Sequence, residues 1–384
     1  MPSLDFTEQE FKHRQTRVRA AMENAGIDLL LAFHPVSIAW LTGCRSKSYQ
    51  EFQVLFFTAE DAPLTLQTRL AEVPEISDMT LAEDVRGWGG REPEDPVEVF
   101  AGIMREKGFM NRRIGMEVPS FYMHPYVHRQ LEDLLGDALT LDASLLIHDL
   151  KLVKSEAEVG YIREAVGIVD ATLETVEKSI KAGATECEVA GAAYGTMLSL
   201  GSDIPASPMN FVSGERTCYG HGQPTTKKIQ PGEFMHVEFG AAVKRYCSTI
   251  ARHFNLGEPS DRAVELHNLI LASCDACIAQ IRPGVSGRVP HDAAKQVIAD
   301  AGLDQYRLHT TGYGIAPGYP PSWGENIHLF ADSTYTLEAG MVLSVEPPIF
   351  IHEERIGVRI IDNVLVTESG AEILSSYTRD LVVV

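Results

Sequence analysis

The first part of the chain alternates between segments with helical spacing of apolar residues and segments with the length of a strand. Residues 7–26 predict an amphipathic helix that ends at Gly26, and IDLLLAF behind it predicts a buried strand. SIAWLTG predicts a short helix that ends at Gly43. We also predict strands at QVLFFTA, PLTLQT and RIGMEV, and helices at PVEVFAGIMREKG and PYVHRQLEDLLG. This alternation is typical of an α/β layer structure.

The pattern changes near residue 150, and we predict a domain boundary between 1–150 and 151–384. A capping box from Ser155 to Glu158 opens a helix that we expect to run to Gly183. After it we predict a helix at TECEVAGAAYGTMLSLG, strands at 209–214, 233–240 and 245–256, helices at 260–282 and 288–302, and strands at 341–351, 356–367 and RDLVVV. Two helix–helix–strand blocks of this kind suggest an internal pseudo-repeat.

The segment from Phe234 to Phe254 has the alternation of two strands joined by a turn. We predict the first strand in FMHVEFG, the turn at 240–245 and the second strand behind it. Polar side chains at Glu238 and Thr249 are then expected near each other across the hairpin. The chemistry of this pair becomes the central question for the function.

The composition is that of a globular protein with a strongly acidic surface. The chain has 384 residues, with 53 acidic and 33 basic side chains and a formal net charge of −20. Such a surface repels nucleic acid and anionic lipid, so we expect neither as a partner. The length is sufficient for two domains of ordinary size.

Targeting signals and cysteine frameworks are not recognisable in the sequence. Residues 1–22 carry charges throughout without the apolar core of a signal peptide, and no apolar run reaches the length of a membrane span. Cys274 and Cys277 form a CxxC pair inside an amphipathic helix, where buried thiols are the simplest interpretation. We therefore expect a cytoplasmic protein with reduced cysteines.

Six ordered motifs in the second part of the chain resemble a known superfamily. They are LVKSEAEVGYIREA, VSGERTCYGHGQP, GEFMHVEFGAAVKRYCSTIARHF, HTTGYGIAPGYPP, LEAGMVLSVEPPIF and GVRIIDNVLVTESG. They are similar to the successive signatures of the pita-bread superfamily, which includes creatinase, aminopeptidase P, prolidase and methionine aminopeptidase. The resemblance implies an α/β (α+β) protein with a creatinase-like N-terminal domain at 1–150 and a pita-bread catalytic domain at 151–384.

Metal-dependent members of this superfamily hold two ions with two Asp, one His and two Glu. Hard divalent ions need such a carboxylate-rich shell to activate a water. The corresponding positions in this sequence are Glu238, Thr249, Tyr313, Glu346 and Ile361. Threonine is a poor ligand and isoleucine cannot coordinate a metal. We therefore expect no bound metal pair and no other cofactor.

The resemblance at finer detail is to the metal-free branch of the superfamily. Glu238, Tyr313 and the segment YPPSWGE look like ectoine hydrolase, whereas the position of the catalytic glutamate of creatinase is Ala251. This implies a metal-independent hydrolase that opens the ring of ectoine, a cyclic amidine, to an N-acetyl-diaminobutyrate. A creatinase-like guanidino hydrolase, a prolidase-type Xaa-Pro peptidase with an altered metal site, and a peptide-binding pseudo-enzyme remain as alternatives.

Four side chains are implied as catalytic by their positions in the motifs. Glu238 is expected to attack the substrate or to activate water, and His221 to deliver a proton to the departing nitrogen. Glu346 is expected to bind the substrate or to position the water. His309, four residues before Tyr313, is a further polar position in the same turn.

Five side chains are implied as substrate contacts. Tyr49, Tyr313 and Trp323 are expected to form an aromatic wall around a small cation, and Arg252 or Arg359 to bind its carboxylate. The partner implied is a small molecule. Relatives cover each other's active sites with the N-terminal domain, so a homodimer is also expected.

Overall fold

The computed structural model describes residues 3–384, apart from the side chain of Ala316. The chain forms two compact units, Met1–Lys151 and Leu152–Val384, which are described separately. None of the helices in the described part of the chain is long and apolar enough to cross a bilayer.

The first unit is a six-stranded mixed sheet with helices on both faces. Its strands have the order β4-β3-β2-β1-β5-β6, in which β1 runs antiparallel to β2 and parallel to β5. The strands are β1 Leu29–Ala32, β2 Val54–Thr58, β3 Thr65–Arg69, β4 Asp84–Trp88, β5 Ile114–Met116 and β6 Leu139–Asp142. The helices are α1 Glu8–Ala25, α2 Pro35–Thr42, α3 Val73–Met79, α4 Pro96–Glu106, α5 Pro125–Leu135 and α6 Leu146–Lys151.

The central strand β1 explains why this sheet is covered on both sides. Leu30 packs in one buried cluster, which includes side chains of α1, α2 and α6, whereas Leu29 and Leu31 pack in another with α4 and α5. Successive side chains of a strand point to opposite faces, so a continuous apolar run requires cover on both. Helix α1 ends at Gly26, whose φ of 69° suits the left-handed cap position.

The second unit contains a nine-stranded sheet and a separate two-stranded sheet. Its strands are β7 Asn210–Ser213, β8 Phe234–Val243, β9 Tyr246–Asn255, β10 Gly312–Tyr319, β11 Ser322–Leu329, β12 Val342–Val345, β13 Pro348–Ile351, β14 Ile356–Arg359, β15 Asp362–Thr367, β16 Gly370–Ile373 and β17 Val382–Val383. Its helices are α7 Glu156–Ser179, α8 Glu186–Ser199, α9 Asp261–Ile278 and α10 Arg288–Asp300. The large sheet has the order β16-β15-β12-β10-β9-β8-β7, with β11 on β10 and β17 on β9, while β13 pairs with β14.

Two helix pairs supply the two buried clusters of this unit. Helices α7 and α8 pack with apolar side chains of β7, β8 and β9, and α9 and α10 pack with those of β11 to β15. Both Ser155 and Glu158 make the hydrogen bonds of the predicted capping box at the start of α7. The α/β architecture predicted from the sequence is confirmed.

The long hairpin β8–β9 divides its side chains between two faces. Met235, Val237 and Phe239 belong to the cluster covered by α7 and α8. The register pairs Glu238 with Ala251 and Gly240 with Thr249. Because directly opposed residues share a face and neighbours alternate, these residues lie on the face opposite the helices.

The structure differs from the expected elements in several places, and the short elements β4, β6, β16, α3 and α6 were not predicted. The hairpin turn is only Lys244–Arg245, both with positive φ, so β8 continues through most of the predicted turn. The expected strands 341–351 and 356–367 are each interrupted, at Glu346–Pro347 and at Ile360–Ile361. The β10–β11 hairpin was not predicted, because its glycines and prolines obscure the alternation that marks a strand.

Candidate functional site

The buried ion pair between Glu238 and Arg359 lies at the centre of the candidate site. Arg359 Nη2 donates to Glu238 Oε2 and also to the carbonyl of Gly220 at 2.8 Å. Glu238 is 6% exposed and Arg359 is 1% exposed. A pair buried this deeply depends on both partners, because removal of one leaves an uncompensated charge. The guanidinium of Arg359 is therefore occupied by Glu238 and is not available to bind a substrate carboxylate.

The backbone of Arg359 is held by two buried histidines, His253 and His267, which the sequence analysis did not identify. Its N–H donates to His253 Nε2 at 2.9 Å, so His253 carries its proton on Nδ1. That nitrogen lies 2.9 Å from His267 Nδ1, which must accept. These hydrogen bonds hold the backbone of Arg359 in place and so position its side chain relative to Glu238.

Glu346 is a fully buried carboxyl group with several hydrogen-bond donors. Ser344 Oγ donates to its Oε2 at 2.6 Å, and the hydroxyl of Tyr313 donates to it as well. Burial raises the pKa of Glu346 to about 7, although the guanidinium of Arg359 opposes the shift. Glu346 follows β12, and the interruption of the expected strand at this residue turns its side chain into the cluster.

His309 lies against Glu346 with a defined tautomer. Its Nδ1 is 3.2 Å from Glu346 Oε1 and 3.3 Å from the carbonyl oxygen of Thr310. Both neighbours are acceptors, so Nδ1 carries the proton and Nε2 of the neutral ring presents its lone pair. Burial and the nearby Arg359 lower the pKa of His309 to about 4, which keeps the imidazole neutral near pH 7.

His221 is the accessible member of the cluster. Its ring centre is 5.4 Å from that of His309, in an edge-to-face arrangement. Desolvation, followed by the charge of Arg359, lowers the pKa of His221, while Glu238 opposes this. The structure thus brings the four predicted catalytic residues, Glu238, His221, Glu346 and His309, into one cluster, whose catalytic role stays a prediction.

Tyr313 and Trp323 form a hydrogen-bonded pair beside Glu346. Trp323 Nε1 donates to the hydroxyl of Tyr313 at 3.0 Å, so the hydroxyl proton is left for Glu346. A Cβ atom at Gly240 would lie 3.0 Å from the Trp323 ring and 2.2 Å from the carbonyl oxygen of Ser248, so glycine is needed at 240. Burial raises the pKa of Tyr313 well above its usual value.

Arg252 is in a different network from the other predicted substrate contacts. Its Nη2 donates to Asp362 Oδ1 at 2.8 Å, and its other nitrogens donate to three backbone carbonyls. On β9 it alternates with Ala251, which opposes Glu238, so it points to the other face. We therefore remove Arg252 from the substrate-binding set.

Tyr49 belongs to the first unit and is 9% exposed. Its ring centre lies 6.0 Å from that of Tyr122 in an edge-to-face contact, and its hydroxyl accepts a hydrogen bond from Gln50 at 3.3 Å. These contacts describe a local aromatic group, and a substrate contact for Tyr49 stays a prediction.

His236 is a site residue that the sequence analysis missed. It lies two positions before Glu238 on the same face of β8, and its Nε2 is 4.0 Å from Glu238 Oε2. Burial lowers the pKa of His236 well below its usual value, so the ring is neutral. The period of two in FMHVEFG was the signal that could have identified it.

The residues at the five metal-ligand positions do not match a two-metal centre. Glu238 is bound by Arg359, the Tyr313 hydroxyl takes the Trp323 N–H, and Ile361 places an apolar side chain opposite Ala251. Within residues 3–384, no group of three or more His, Cys, Asp and Glu is arranged to hold a metal ion. The donor set is thus that of a hydrogen-bonded cluster, and we derive no step through a metal.

Comparison with known protein families identifies the family to which this chain belongs. Residues 160–368 match metallopeptidase family M24, and residues 14–153 match the creatinase/prolidase N-terminal domain. The chain belongs to metallopeptidase family M24. This M24 protein is accordingly a member of a hydrolase family, with the altered ligand positions described above.

Curated relatives of this M24 protein are named as peptidases. An uncharacterized peptidase of Bacillus subtilis (strain 168) is 31% identical over 277 residues, which are 72% of this chain and 76% of the relative. An uncharacterized peptidase of Staphylococcus aureus (strain USA300) is 27% identical over 364 residues, 93% of this chain and 97% of the relative.

Among solved structures, the Xaa-Pro dipeptidase from Bacillus anthracis is similar over nearly the whole M24 chain. It has a TM-score of 0.85 at 26% identity and covers 97% of this chain and 100% of its own. The dipeptidase PepE from Mycobacterium ulcerans has a TM-score of 0.83 at 26% identity, with 99% of both chains covered.

These comparisons correct the function expected from the sequence. The expected metal-independent opening of ectoine is wrong, since the relatives are named peptidases and the similar structures are dipeptidases. That expectation rested on Glu238, Tyr313 and the segment YPPSWGE, which were not sufficient to identify the substrate. The prolidase-type alternative agrees better with the comparisons.

Proposed function

We propose that this protein hydrolyses the peptide bond of dipeptide-sized substrates, with Xaa-Pro dipeptides as the first class to test. The observation that carries the proposal is the similarity to the Bacillus anthracis Xaa-Pro dipeptidase over 97% of this chain. The cluster of Glu238, His221, His309 and Glu346 supports it, because it combines proton acceptors and donors at one buried site.

In this proposal His309 is the general base and Glu346 its orienting partner. Nε2 of His309 takes a proton from water, and the carboxylate beside Nδ1–H stabilises the imidazolium that forms. The division of roles is that of an imidazole held in one tautomer by a buried carboxylate. Tyr313 and Ser344 hold Glu346 in place through their hydroxyl groups.

His221 is proposed as the proton donor to the departing nitrogen. The water oxygen bonds to the carbonyl carbon while its proton goes to Nε2 of His309. The C–N bond then breaks as the neutral ring of His221 accepts this proton at one nitrogen and gives the proton on its other nitrogen to the departing amine. The two rings are neighbours, with their centres 5.4 Å apart. One water is consumed, and a carboxylic acid and an amine are released.

Glu238 is proposed to act through Arg359 and the substrate, not as the nucleophile. Its Oε2 is bound by the guanidinium, which lowers its nucleophilicity. Arg359 also lies beside His221 and His309, whose pKa values it lowers. Desolvation first, and Arg359 second, lower the pKa of both imidazoles and so favour their neutral forms.

The proposal is tested by incubating the purified protein with alanyl-proline and alanyl-alanine and identifying the products by mass spectrometry. We expect free amino acids from at least one dipeptide. His309→Asn keeps a donor near the Nδ1 position but has no group at Nε2, so it should lose turnover while still binding substrate. Intact dipeptides after incubation with wild-type protein would refute the peptidase proposal.

The homodimer expected from the resemblance is retained as a proposal. Light scattering of the purified protein should give twice the chain mass of 42.2 kDa. A monomeric mass would contradict the proposed homodimer.

A further inference from the structure

Two polar side chains on the site face of the β8–β9 hairpin are buried without a partner among the described residues. They are Thr249, whose hydroxyl oxygen has no hydrogen bond, and His236, whose ring nitrogens have none. Thr249 is 1% exposed and His236 is 0% exposed. A buried polar atom is normally hydrogen-bonded, and each exception asks for an explanation.

Thr249 lies on the face of the hairpin that carries the cluster. Thr249 is paired with Gly240 and shares the face of Glu238 on the next strand. The Trp323 ring lies over Gly240, so the threonine is beside the Trp323–Tyr313 pair. Its backbone N–H is already satisfied by Asn363 Oδ1 at 2.8 Å. The hydroxyl alone is left without a partner, on the face where a substrate would bind.

The charges in the cluster indicate which kind of substrate group the Thr249 hydroxyl would bind. Two buried carboxyl groups, Glu238 and Glu346, lie near one guanidinium, that of Arg359. The acidic groups of the cluster thus outnumber its guanidinium by one, and a cationic group of the substrate would balance the extra carboxyl group.

We propose that Thr249 and Glu238 form a subsite for the primary ammonium group of the substrate, at the place where metal-dependent relatives hold their ions. An ammonium has three N–H donors, and the hydroxyl and carboxylate oxygens are both acceptors. His236 lies next to this carboxylate, with its Nε2 4.0 Å from Glu238 Oε2. The inference rests on the proposed peptidase function, since it assigns the substrate's free amino terminus.

The test compares two substitutions at position 249, and it measures both the thermal stability and the kinetics of each variant. Thr249→Val is nearly isosteric and removes an unsatisfied hydroxyl, so we expect the Tm of the ligand-free protein to rise by about 2 °C or more. The same variant should raise KM for alanyl-proline about 10-fold or more, with a smaller change in kcat. Thr249→Ser keeps the hydroxyl and should restore KM.

A matched control is Thr172→Val in α7. The Thr172 hydroxyl is fully buried but donates to the carbonyl of Ile168 at 2.7 Å, so its removal should lower the Tm and leave KM unchanged. N-acetyl-alanyl-proline has no ammonium group and should bind poorly to wild-type protein. For this ligand Thr249→Val should make little further difference.

The outcomes separate the two proposals. A lower Tm for Thr249→Val would show that the hydroxyl has an internal partner and would overturn the subsite. A higher Tm with unchanged KM would overturn it too. If wild-type protein cleaves no dipeptide, the peptidase function fails, and the subsite is decided by whether alanyl-proline raises the Tm of wild-type protein but not of Thr249→Val. The lack of a rise in wild-type protein would overturn it.

Discussion

Two buried glutamates, one in each unit, have similar acidities and very different surroundings. Burial raises the pKa of Glu117 in the first unit to about 7, and it does the same to Glu346 in the second. Glu117 accepts hydrogen bonds from the backbone N–H of His34 at 2.9 Å and from Ser37 Oγ at 2.6 Å, so it caps the start of α2. Its role is accounted for by the fold.

The cluster that contains Glu346 and Glu238 is left incomplete. Thr249 and His236 have buried polar atoms without a partner in the described part of the chain, and His309 offers the lone pair of Nε2 to a neighbour. The comparison teaches that a shifted pKa does not by itself identify a site. Unsatisfied polar groups next to the shifted carboxyl group make the distinction.

The largest expected effect is on catalysis. Glu346→Gln should lower kcat for the dipeptide substrate by roughly 10²–10⁴-fold, because the amide cannot stabilise the imidazolium of His309. Glu117→Gln should leave kcat nearly unchanged, since that carboxyl group only caps a helix. Steady-state kinetics measures kcat for both variants. An equal loss of kcat would show that the two glutamates do not differ in their roles.

The next effect is on stability around Glu238. Arg359→Met leaves the Glu238 carboxylate buried and unpaired, and it should lower the free energy of unfolding by roughly 3–5 kcal/mol. The control is Arg163→Met, which breaks an ion pair with Glu372 whose side chains are 45% and 41% exposed. That variant should stay within about 0.5 kcal/mol of wild type. Urea unfolding measures both, and equal losses would contradict the central role of the buried pair.

The pH dependence of stability should reveal Glu117. Its pKa rises from the usual 4.5 to about 7 on folding, so between these values the folded state binds more protons. Its contribution to the unfolding free energy therefore falls as pH rises through that window, by about 3 kcal/mol in total, and is level above it. The difference between wild type and Glu117→Gln, measured by urea unfolding across this window, isolates the effect. Parallel curves would show that Glu117 does not titrate there.

The smallest expected effect is the response to metal. Equilibrium dialysis against millimolar manganese should leave less than one ion per chain, because Thr249, Tyr313 and Ile361 do not complete the ligand set. EDTA should leave dipeptide turnover unchanged. Two bound ions, lost again in Glu346→Gln, would show that the carboxylates of this site still hold a metal pair.

The fold was predictable where the sequence has regular periods or explicit caps. Ser155 and Glu158 predicted the start of α7, and the alternation from Phe234 onwards predicted the β8–β9 hairpin. Glycine and proline in GYGIAPGYPP hid β10, which carries Tyr313. Spacing also could not show that β12 is followed by a break at Glu346, since the break depends on tertiary contacts.

The site was predictable in its members but not in their partners. His221, His309, Glu238 and Glu346 were selected by motif position, and the structure brings them together. The ion pair of Arg359 with Glu238 joins residues 121 positions apart, which no local pattern specifies. The main expectation for the function was wrong because it relied on a few motif positions, whereas the prolidase-type alternative agrees better with the similarity of the whole chain to a dipeptidase structure.

The alternation of side chains along β8 and β9 has a consequence for how such proteins diversify. Odd-numbered residues of β8 pack against α7 and α8, while even-numbered residues lie on the face of the candidate site. Positions 236 and 249 can therefore change almost without disturbing the scaffold, whereas a change at Glu238 requires a matching change at Arg359. A catalytic apparatus can in this way be exchanged for another while the architecture persists.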